Sequence, residues 1–278
     1  MIYCVSLALY GVTIWLLARR YRCNLHPHVL GWVLAPLFLW DTLAQGQIYM
    51  PLALASVGAW LALERRHNLL GGVLLGCVIA IKPNLLVAPV LLGLAGWWVT
   101  AAAAVACAGI LSLLPLVVYG PGVYLAWWRV ASVVPTGAGA PFNASLAAML
   151  ARLGAPGLAL PAAAILLAGL AWWAWRRRPD RLTVLGAGLV AAILASPVGW
   201  QHYVLFALPL FFWRRWSPLT WCAAALLLAP VPVQGAWADL SPFVKPFASV
   251  STVALLLLLA GLLVADFWGL RRRGGRPG

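Results

Sequence analysis

The chain has 278 residues, of which 64% are hydrophobic and only 9% are charged. Soluble domains carry about 25% charged residues, so this composition excludes an ordinary soluble globular protein and favours one whose surface faces lipid. The net charge of +14 does not indicate a nucleic-acid-binding protein, because most arginines form short clusters between hydrophobic stretches, as in the cytoplasmic loops of membrane proteins.

The hydrophobic stretches predict an all-α, polytopic transmembrane helical bundle. They are long runs rich in Leu, Ala and Val, without the alternation of a membrane β-barrel. With the arginine clusters in the cytoplasm, we expect about 11 membrane crossings, several of them shorter than a full span. In chain order these are residues 2–18, 29–44, 48–63, the two halves of 69–98, 100–118, 157–175, 182–195, 203–213, 218–233 and 247–268.

Residues 69–98 predict a broken hairpin rather than one long helix. A single crossing here would place the later cluster Arg176–Arg178 outside, against the distribution of the other clusters. Pro83, in "IKPN" (81–84), removes a backbone donor and disfavours helical conformation at Lys82. We therefore expect two short helices, one outward and one back.

The whole chain, residues 1–278, is predicted to be a single transmembrane domain. Residues 119–155, rich in Gly and Pro, are expected to form an external membrane-surface loop, in which Trp127 and Trp128, next to Arg129, lie at headgroup level. Asn143 is expected to cap the helix that begins at Ser145. Residues 269–278 are predicted to be a basic cytoplasmic tail.

The five cysteines lie in or beside apolar stretches and have neither metal-ligand nor disulfide spacing. We interpret them as small core residues. The sequence predicts neither a metal site nor a bound cofactor.

This topology brings nearly all polar residues that do not belong to the arginine clusters to the outer face of the membrane. A site formed there would act on the external surface. These residues are Asp41, Gln45, Gln47, Lys82, Asn84, Arg129, Asn143, Trp200, Gln201, His202 and Asp239.

Lys82 lies inside an otherwise apolar hairpin. A charge at membrane depth is expensive and normally faces the bundle interior or a water-filled cavity. One interpretation is a lysine that extends its ammonium to the interface while its stem stays in lipid. The functional interpretation, which we favour, is a cation that binds an anion, most simply a phosphate.

The stretch "SPVGWQHYVLF" (196–206) places a polar cluster between two apolar runs. Trp and Tyr are common at membrane interfaces, so an interfacial anchor with a water-exposed His202 stays open as an alternative. The functional interpretation is a re-entrant turn in which Trp200 offers an aromatic face to a sugar and His202 meets a phosphate or transfers a proton. If the turn is extended, both side chains project to the same side.

The stretch "DTLAQGQIYM" (41–50) carries Asp41, Gln45 and Gln47. Glutamines can hydrogen-bond helices together in a membrane, which is the structural alternative. Amides and a carboxylate also suit the binding of hydroxyl-rich substrates. Asp41 is one of two acidic residues expected outside, and is therefore a candidate general base.

Three stretches occur in an ordered set. A Gly-Gln pair, Gly46 and Gln47, precedes two helices, the second of which ends in Lys82 and Pro83; "PFNASLAAMLARL" (141–153) and "SPVGWQHY" (196–203) follow. Over about residues 40–210 this set resembles glycosyltransferase family 87.

The resemblance implies a multi-spanning GT-C fold and the use of a polyprenyl-phosphate sugar, typically polyprenyl-phosphate mannose, on the outer side of the bacterial membrane. It makes Lys82 and His202 candidates near the donor phosphate. It makes Gln47, Asn143 and Trp200 candidates for lining the cavity.

Two features depart from the family pattern. Tyr49 stands where the family usually has Asn. The usual first helix and large external loop, which hold the catalytic aspartate, are also expected to be missing, through a misplaced start codon, truncation or divergence.

We therefore predict a membrane hexosyltransferase of the bacterial plasma membrane, with an outward-facing site. It would transfer a hexose, taken as mannose, from a polyprenyl-phosphate donor to an external lipid or glycan acceptor, with membrane lipids as further partners. The alternatives are a transporter or flippase for an anionic lipid-linked substrate, and an inactive scaffold of the same fold. The candidates are Asp41 and His202 for catalysis, Lys82, His202 and Arg129 for the donor phosphate, and Gln45, Gln47, Asn84, Asn143, Trp200 and Gln201 for substrate binding.

Overall fold

A computed structural model describes residues 2–21, 27–44, 46, 48–133, 140, 142–228 and 249–267. This part of the chain is helical and contains no strand, which confirms the predicted all-α class. Short 3-10 helices occur at Pro83–Leu86, Pro156–Leu158 and Gln201–Ala207. The α-helices are α1 (Ile2–Arg20), α2 (Pro27–Leu34), α3 (Leu37–Ala44), α4 (Tyr49–Glu64), α5 (Asn68–Ile81), α6 (Val87–Leu94), α7 (Trp98–Tyr119), α8 (Gly122–Val133), α9 (Leu146–Arg152), α10 (Ala159–Arg177), α11 (Arg181–Ala195), α12 (Pro209–Trp213), α13 (Pro218–Leu226) and α14 (Val250–Phe267).

Side-chain caps and prolines set several helix boundaries. The Asp180 carboxylate accepts the backbone N–H groups of Leu182 and Thr183 at 3.1 Å and so begins α11. Pro36 lies between α2 and α3, so residues 29–44 form two short helices rather than the single crossing expected.

The chain reverses direction between α5 and α6, as Pro83 predicts. Lys82 is non-helical, with φ −127° and ψ 78°. Beyond the turn, α6 runs back towards the start of α5. The next helix, α7, is parallel to α5, since the contact positions advance together along both helices: a Cβ on Gly72 would lie 2.6 Å from the Cβ of Ala103, and a Cβ on Gly76 would lie 2.6 Å from the Cβ of Cys107. The glycines therefore allow close approach of α5 and α7, and residues 69–98 form a broken hairpin.

Among the described residues, three helices are long and apolar enough to cross a membrane: Trp98–Tyr119, Pro156–Arg177 and Val250–Phe267. Large apolar side chains point outward from them, including Val117, 82% exposed, and Leu160, 80% exposed. Such a surface suits lipid rather than water. The expected total of about 11 crossings stays a prediction, as does the membrane-surface position of 119–155, in which the structure has α8 and α9.

One end of the bundle is strongly basic. Arg20 Nε donates to Glu64 Oε2 at 2.9 Å, and Arg181 donates to Asn68 Oδ1 at 3.0 Å. The first bond joins the C-terminal ends of α1 and α4, and the second joins the N-terminal ends of α5 and α11. We call this region the basic end.

The central helix α11 leads from the basic end to the opposite end of the bundle. Every residue from Leu182 to Leu194 is buried, and a Cβ on Gly188 would lie 2.6 Å from the Cα of Ala88 in α6. After Ala195 the chain enters the stretch 196–203 beside the C-terminus of α5. We call this region the polar end.

Candidate functional site

Lys82 is held between two tyrosines at the polar end. Its ammonium donates hydrogen bonds to the hydroxyls of Tyr49 (2.5 Å) and Tyr203 (3.1 Å), and it lies 4.6 and 4.8 Å from their ring centroids. Both tyrosines are buried, whereas Lys82 is partly exposed. The charge is therefore fixed in place by cation–π contacts and hydrogen bonds, and does not extend freely towards an interface.

Asp41 and His202 form a hydrogen-bonded pair beside this lysine. Asp41 Oδ2 and His202 Nδ1 are 2.9 Å apart, and the side chains are 18% and 1% exposed respectively. His202 Nε2 is buried and has no hydrogen-bond partner among the described residues. The carboxylate is therefore the member of the pair that faces outward, and the imidazole lies behind it.

Tyr49 connects the two groups. Its ring centroid lies 4.4 Å from that of His202, while its hydroxyl accepts from Lys82. Asp41, Tyr49, Lys82, His202 and Tyr203 thus form one continuous set of contacts, which we call the Lys82 cluster. Tyr49, which stands where the resembled family usually has Asn, lies at the centre of the Lys82 cluster.

The stretch 196–203 is a turn, exposed at Pro197 and buried from Gln201 onward, that leads into a 3-10 helix. A Cβ at Gly199 would lie 2.3 Å from the carbonyl oxygen of Ile193, so only glycine fits this close approach. Trp200 is extended, but the 3-10 helix begins at Gln201.

The turn is therefore not extended through His202, and Trp200 and His202 do not project to the same side. Trp200 stacks on Phe142, with centroids 5.4 Å apart, whereas His202 faces Asp41 and Tyr49. His202 is buried rather than exposed to water.

Asn143 joins this turn to the segment before α9. Its amide oxygen accepts from Gly199 N (3.0 Å) and Ser145 N (3.2 Å), and its amide nitrogen donates to the Pro197 carbonyl at 3.2 Å. The expectation that Asn143 caps α9 is wrong. Ser145 is the N-cap, since its hydroxyl accepts from Ala148 N at 3.1 Å, while the Asn143 side chain serves the turn.

The remaining candidates occupy different environments. Asn84 is partly exposed, with its amide nitrogen 3.5 Å from the Ala192 carbonyl oxygen. Gln201 is fully buried, and its amide atoms lack hydrogen-bond partners within the described ranges. Arg129 lies exposed on α8, which packs on α7. Gln45, Gln47 and Asp239 lie outside the described residues.

Arg152 is a buried cation that the sequence reasoning missed. Its guanidinium donates to Ser249 Oγ (2.9 Å), the Ala140 carbonyl (2.7 Å) and the Asn143 carbonyl (3.2 Å). Burial lowers its pKa to about 10, so it stays charged at neutral pH. No carboxylate in the described part of the chain pairs with it. It ties α9 and the start of α14 to the Asn143 segment, and in the sequence it lies near the end of "PFNASLAAMLARL".

The described residues contain no group of three or more His, Cys, Asp or Glu side chains suited to a metal ion. The Lys82 cluster brings together one ammonium, one carboxylate, one imidazole and two phenols. A cation beside a carboxylate can bind an anionic leaving group and accept a proton.

The sequence model of glycosyltransferase family 87 matches residues 1–197. This segment contains Asp41, Tyr49, Lys82 and Asn143 but stops before His202, so it begins and ends earlier than the stretch on which we based the resemblance. No curated protein and no solved structure matches the chain significantly. Since the family match covers well over half of the sequence, the protein belongs to glycosyltransferase family 87.

Proposed function

We propose that this glycosyltransferase moves a hexose, taken as mannose, from a polyprenyl-phosphate donor to a hydroxyl of an external lipid or glycan acceptor. The observation that carries the proposal is the Lys82 cluster, which combines a fixed cation and an outward-facing carboxylate. The cluster lies opposite the basic end, which the positive-inside rule would place in the cytoplasm. The site would then face outward from a bacterial plasma membrane.

Lys82 would bind the donor phosphate together with the two tyrosines. Each hydroxyl accepts from the ammonium, and the two hydroxyls also share a hydrogen bond, which leaves one phenol proton for a phosphate oxygen. As the leaving phosphate gains charge, the ammonium stabilises it by about 2–4 kcal/mol. Arg129 is the second cation proposed for the donor.

Asp41 would act as the base. It is the more exposed member of the pair, so it can reach an acceptor hydroxyl, while His202 orients it from behind. The acceptor oxygen forms a bond to the sugar C1 as the bond from C1 to the phosphate oxygen breaks, its electron pair leaving with the phosphate. The acceptor proton passes to the Asp41 carboxylate.

The sugar and lipid would be held by the surrounding polar and aromatic side chains. The stacked pair of Trp200 and Phe142 offers a flat apolar surface that suits a sugar ring or an isoprenoid. The further substrate-binding candidates are Gln45, Gln47, Asn84, Asn143 and Gln201.

The test is transfer of labelled mannose from a polyprenyl-phosphate donor in membranes that contain the full chain. We expect a labelled lipid or glycan product that depends on both Asp41 and Lys82. If labelled donor crosses the bilayer of reconstituted vesicles and no product forms, the protein is a flippase and the proposal is wrong.

A further inference from the structure

A cleft lies at the basic end between α12, α13 and α14. No step of the proposed transfer uses it, because the Lys82 cluster is at the polar end. Its wall is formed by Leu210, Leu258 and Leu262, and its rim by Arg214, Arg215 and Ser217.

Positive charge predominates at the rim. Arg214 stacks on Trp213, with its guanidinium carbon 3.9 Å from the ring centroid, and donates to the Thr183 hydroxyl at 3.3 Å. Arg215 is exposed. The acid facing Arg214 is Asp180, at 4.0 Å, and its oxygens also accept from two backbone amides and a hydroxyl. The rim therefore keeps a net positive charge.

The cleft combines this charge with an apolar wall that follows α14 away from the basic end. A ligand that satisfies both parts has an anionic head and a hydrocarbon tail. Indole rings lie next to the rim: Trp216 packs edge-on against Trp221, with centroids 4.7 Å apart. Indoles in this position are typical of the headgroup level of a membrane.

The C-terminal segment of the chain, which follows α14, is poorly suited to occupy the cleft. Residues 268–278 contain four arginines and no acidic residue, so the rim arginines repel them. This segment therefore does not supply the complementary charge.

We propose that this cleft binds an anionic phospholipid of the membrane leaflet at the basic end. The headgroup phosphate contacts Arg214 and Arg215, and the first part of an acyl chain enters the cleft that Leu262 and Ala265 line. The binding is independent of the transfer reaction and anchors the ends of α12 and α14 at the bilayer surface.

The test compares nanodiscs of phosphatidylglycerol with nanodiscs of phosphatidylcholine, each holding the full chain. Retained lipid is counted by native mass spectrometry after release from the disc. The wild-type protein is expected to retain phosphatidylglycerol in preference to phosphatidylcholine. In a second arm, excess glycerol phosphate is added as a headgroup without acyl chains. Because the cleft also binds the acyl chain, we expect glycerol phosphate not to displace the retained lipid.

Matched variants separate a built cleft from general surface charge. Arg214→Gln/Arg215→Gln removes the rim charges, whereas Arg65→Gln/Arg66→Gln removes the same charge elsewhere at the basic end. We expect the first variant to retain phosphatidylglycerol about tenfold more weakly, the size of one lost charge-assisted hydrogen bond, and the second to retain it nearly as well as wild type.

A third variant keeps every arginine. Ala265 also lines the cleft, so Ala265→Leu is expected to weaken lipid retention by filling it. Thermal unfolding in phosphatidylcholine discs shows whether each variant is folded. Equal losses in the two arginine variants, or full retention in Ala265→Leu, would overturn the proposal, as would wild-type discs without a preference for phosphatidylglycerol.

Discussion

Asp41 and His202 are 161 residues apart in the chain, and their side chains meet at 2.9 Å between Oδ2 and Nδ1. The pair joins α3 to the 3-10 helix that follows the central helix α11. Because Tyr49 packs on the imidazole and bonds to Lys82, this contact places a carboxylate and an ammonium in one cluster.

The carboxylate should be essential for transfer. We predict that Asp41→Asn lowers the transfer rate by about 10²–10⁴-fold, the usual contribution of a general base. The matched control is Asp266→Asn, which changes a carboxylate bonded to Trp173 in α10. The rate is measured in membranes at equal protein level. Equal losses in both variants would show that the effect is structural.

The lysine should act through charge. Lys82→Ala is expected to raise the barrier by about 2–4 kcal/mol, which lowers the rate by about 30-fold to 1,000-fold. Tyr203→Phe removes only a hydroxyl, so it should cost about 0.5–1.5 kcal/mol. A Lys82→Ala protein that transfers at the wild-type rate would reject the assignment.

Arg152 should stabilise the turn that carries His202. Burial lowers its pKa to about 10, well below the usual range of an arginine, which is a cost against the charged form. Three hydrogen bonds from a charged donor, each about 1.5–3 kcal/mol, offset this cost.

We therefore predict that Arg152→Met lowers the midpoint of thermal unfolding clearly more than Ser249→Ala, which removes one of the three bonds. The assay is thermal unfolding of the detergent-solubilised chain. If the two variants unfold at the same temperature, the guanidinium does not hold this segment.

The close contact of α5 and α7 gives a prediction on stability alone. A Cβ on Gly76 would lie 2.6 Å from the Ala104 carbonyl oxygen, whereas a Cβ on Gly109 would meet nothing within 4 Å. Gly76→Val should destabilise the protein by about 1–3 kcal/mol or more, and Gly109→Val should be tolerated. The reverse order would show that the two helices do not pack in this way.

Much of the fold followed from charge and proline. The arginine clusters and Pro83 were enough to predict the reversal after α5, because each acts locally on the backbone or on topology. The stretch 203–213, expected as one crossing, contains most of a 3-10 helix and the short α12. Its apolar composition reflects burial inside the protein, which hydropathy does not distinguish from contact with lipid.

The site was predictable only in part. Lys82 and His202 stood out because a charge or an imidazole is rare among apolar residues. The sequence marks Tyr49 only as a departure from the family pattern, since a tyrosine in a membrane protein is ordinarily an interfacial residue. Its place between Lys82 and His202 depends on contacts between α4, α5 and the turn after α11, which no local pattern encodes.

The central claim is that the donor phosphate binds at the Lys82 cluster. The most direct measurement is a cryo-electron microscopy map of the full chain with a non-hydrolysable polyprenyl-phosphonate sugar. We predict phosphonate density in hydrogen-bond contact with Lys82 Nζ, and the sugar beside Asp41. Density for the phosphonate at the basic end, with the Lys82 cluster unchanged, would contradict it.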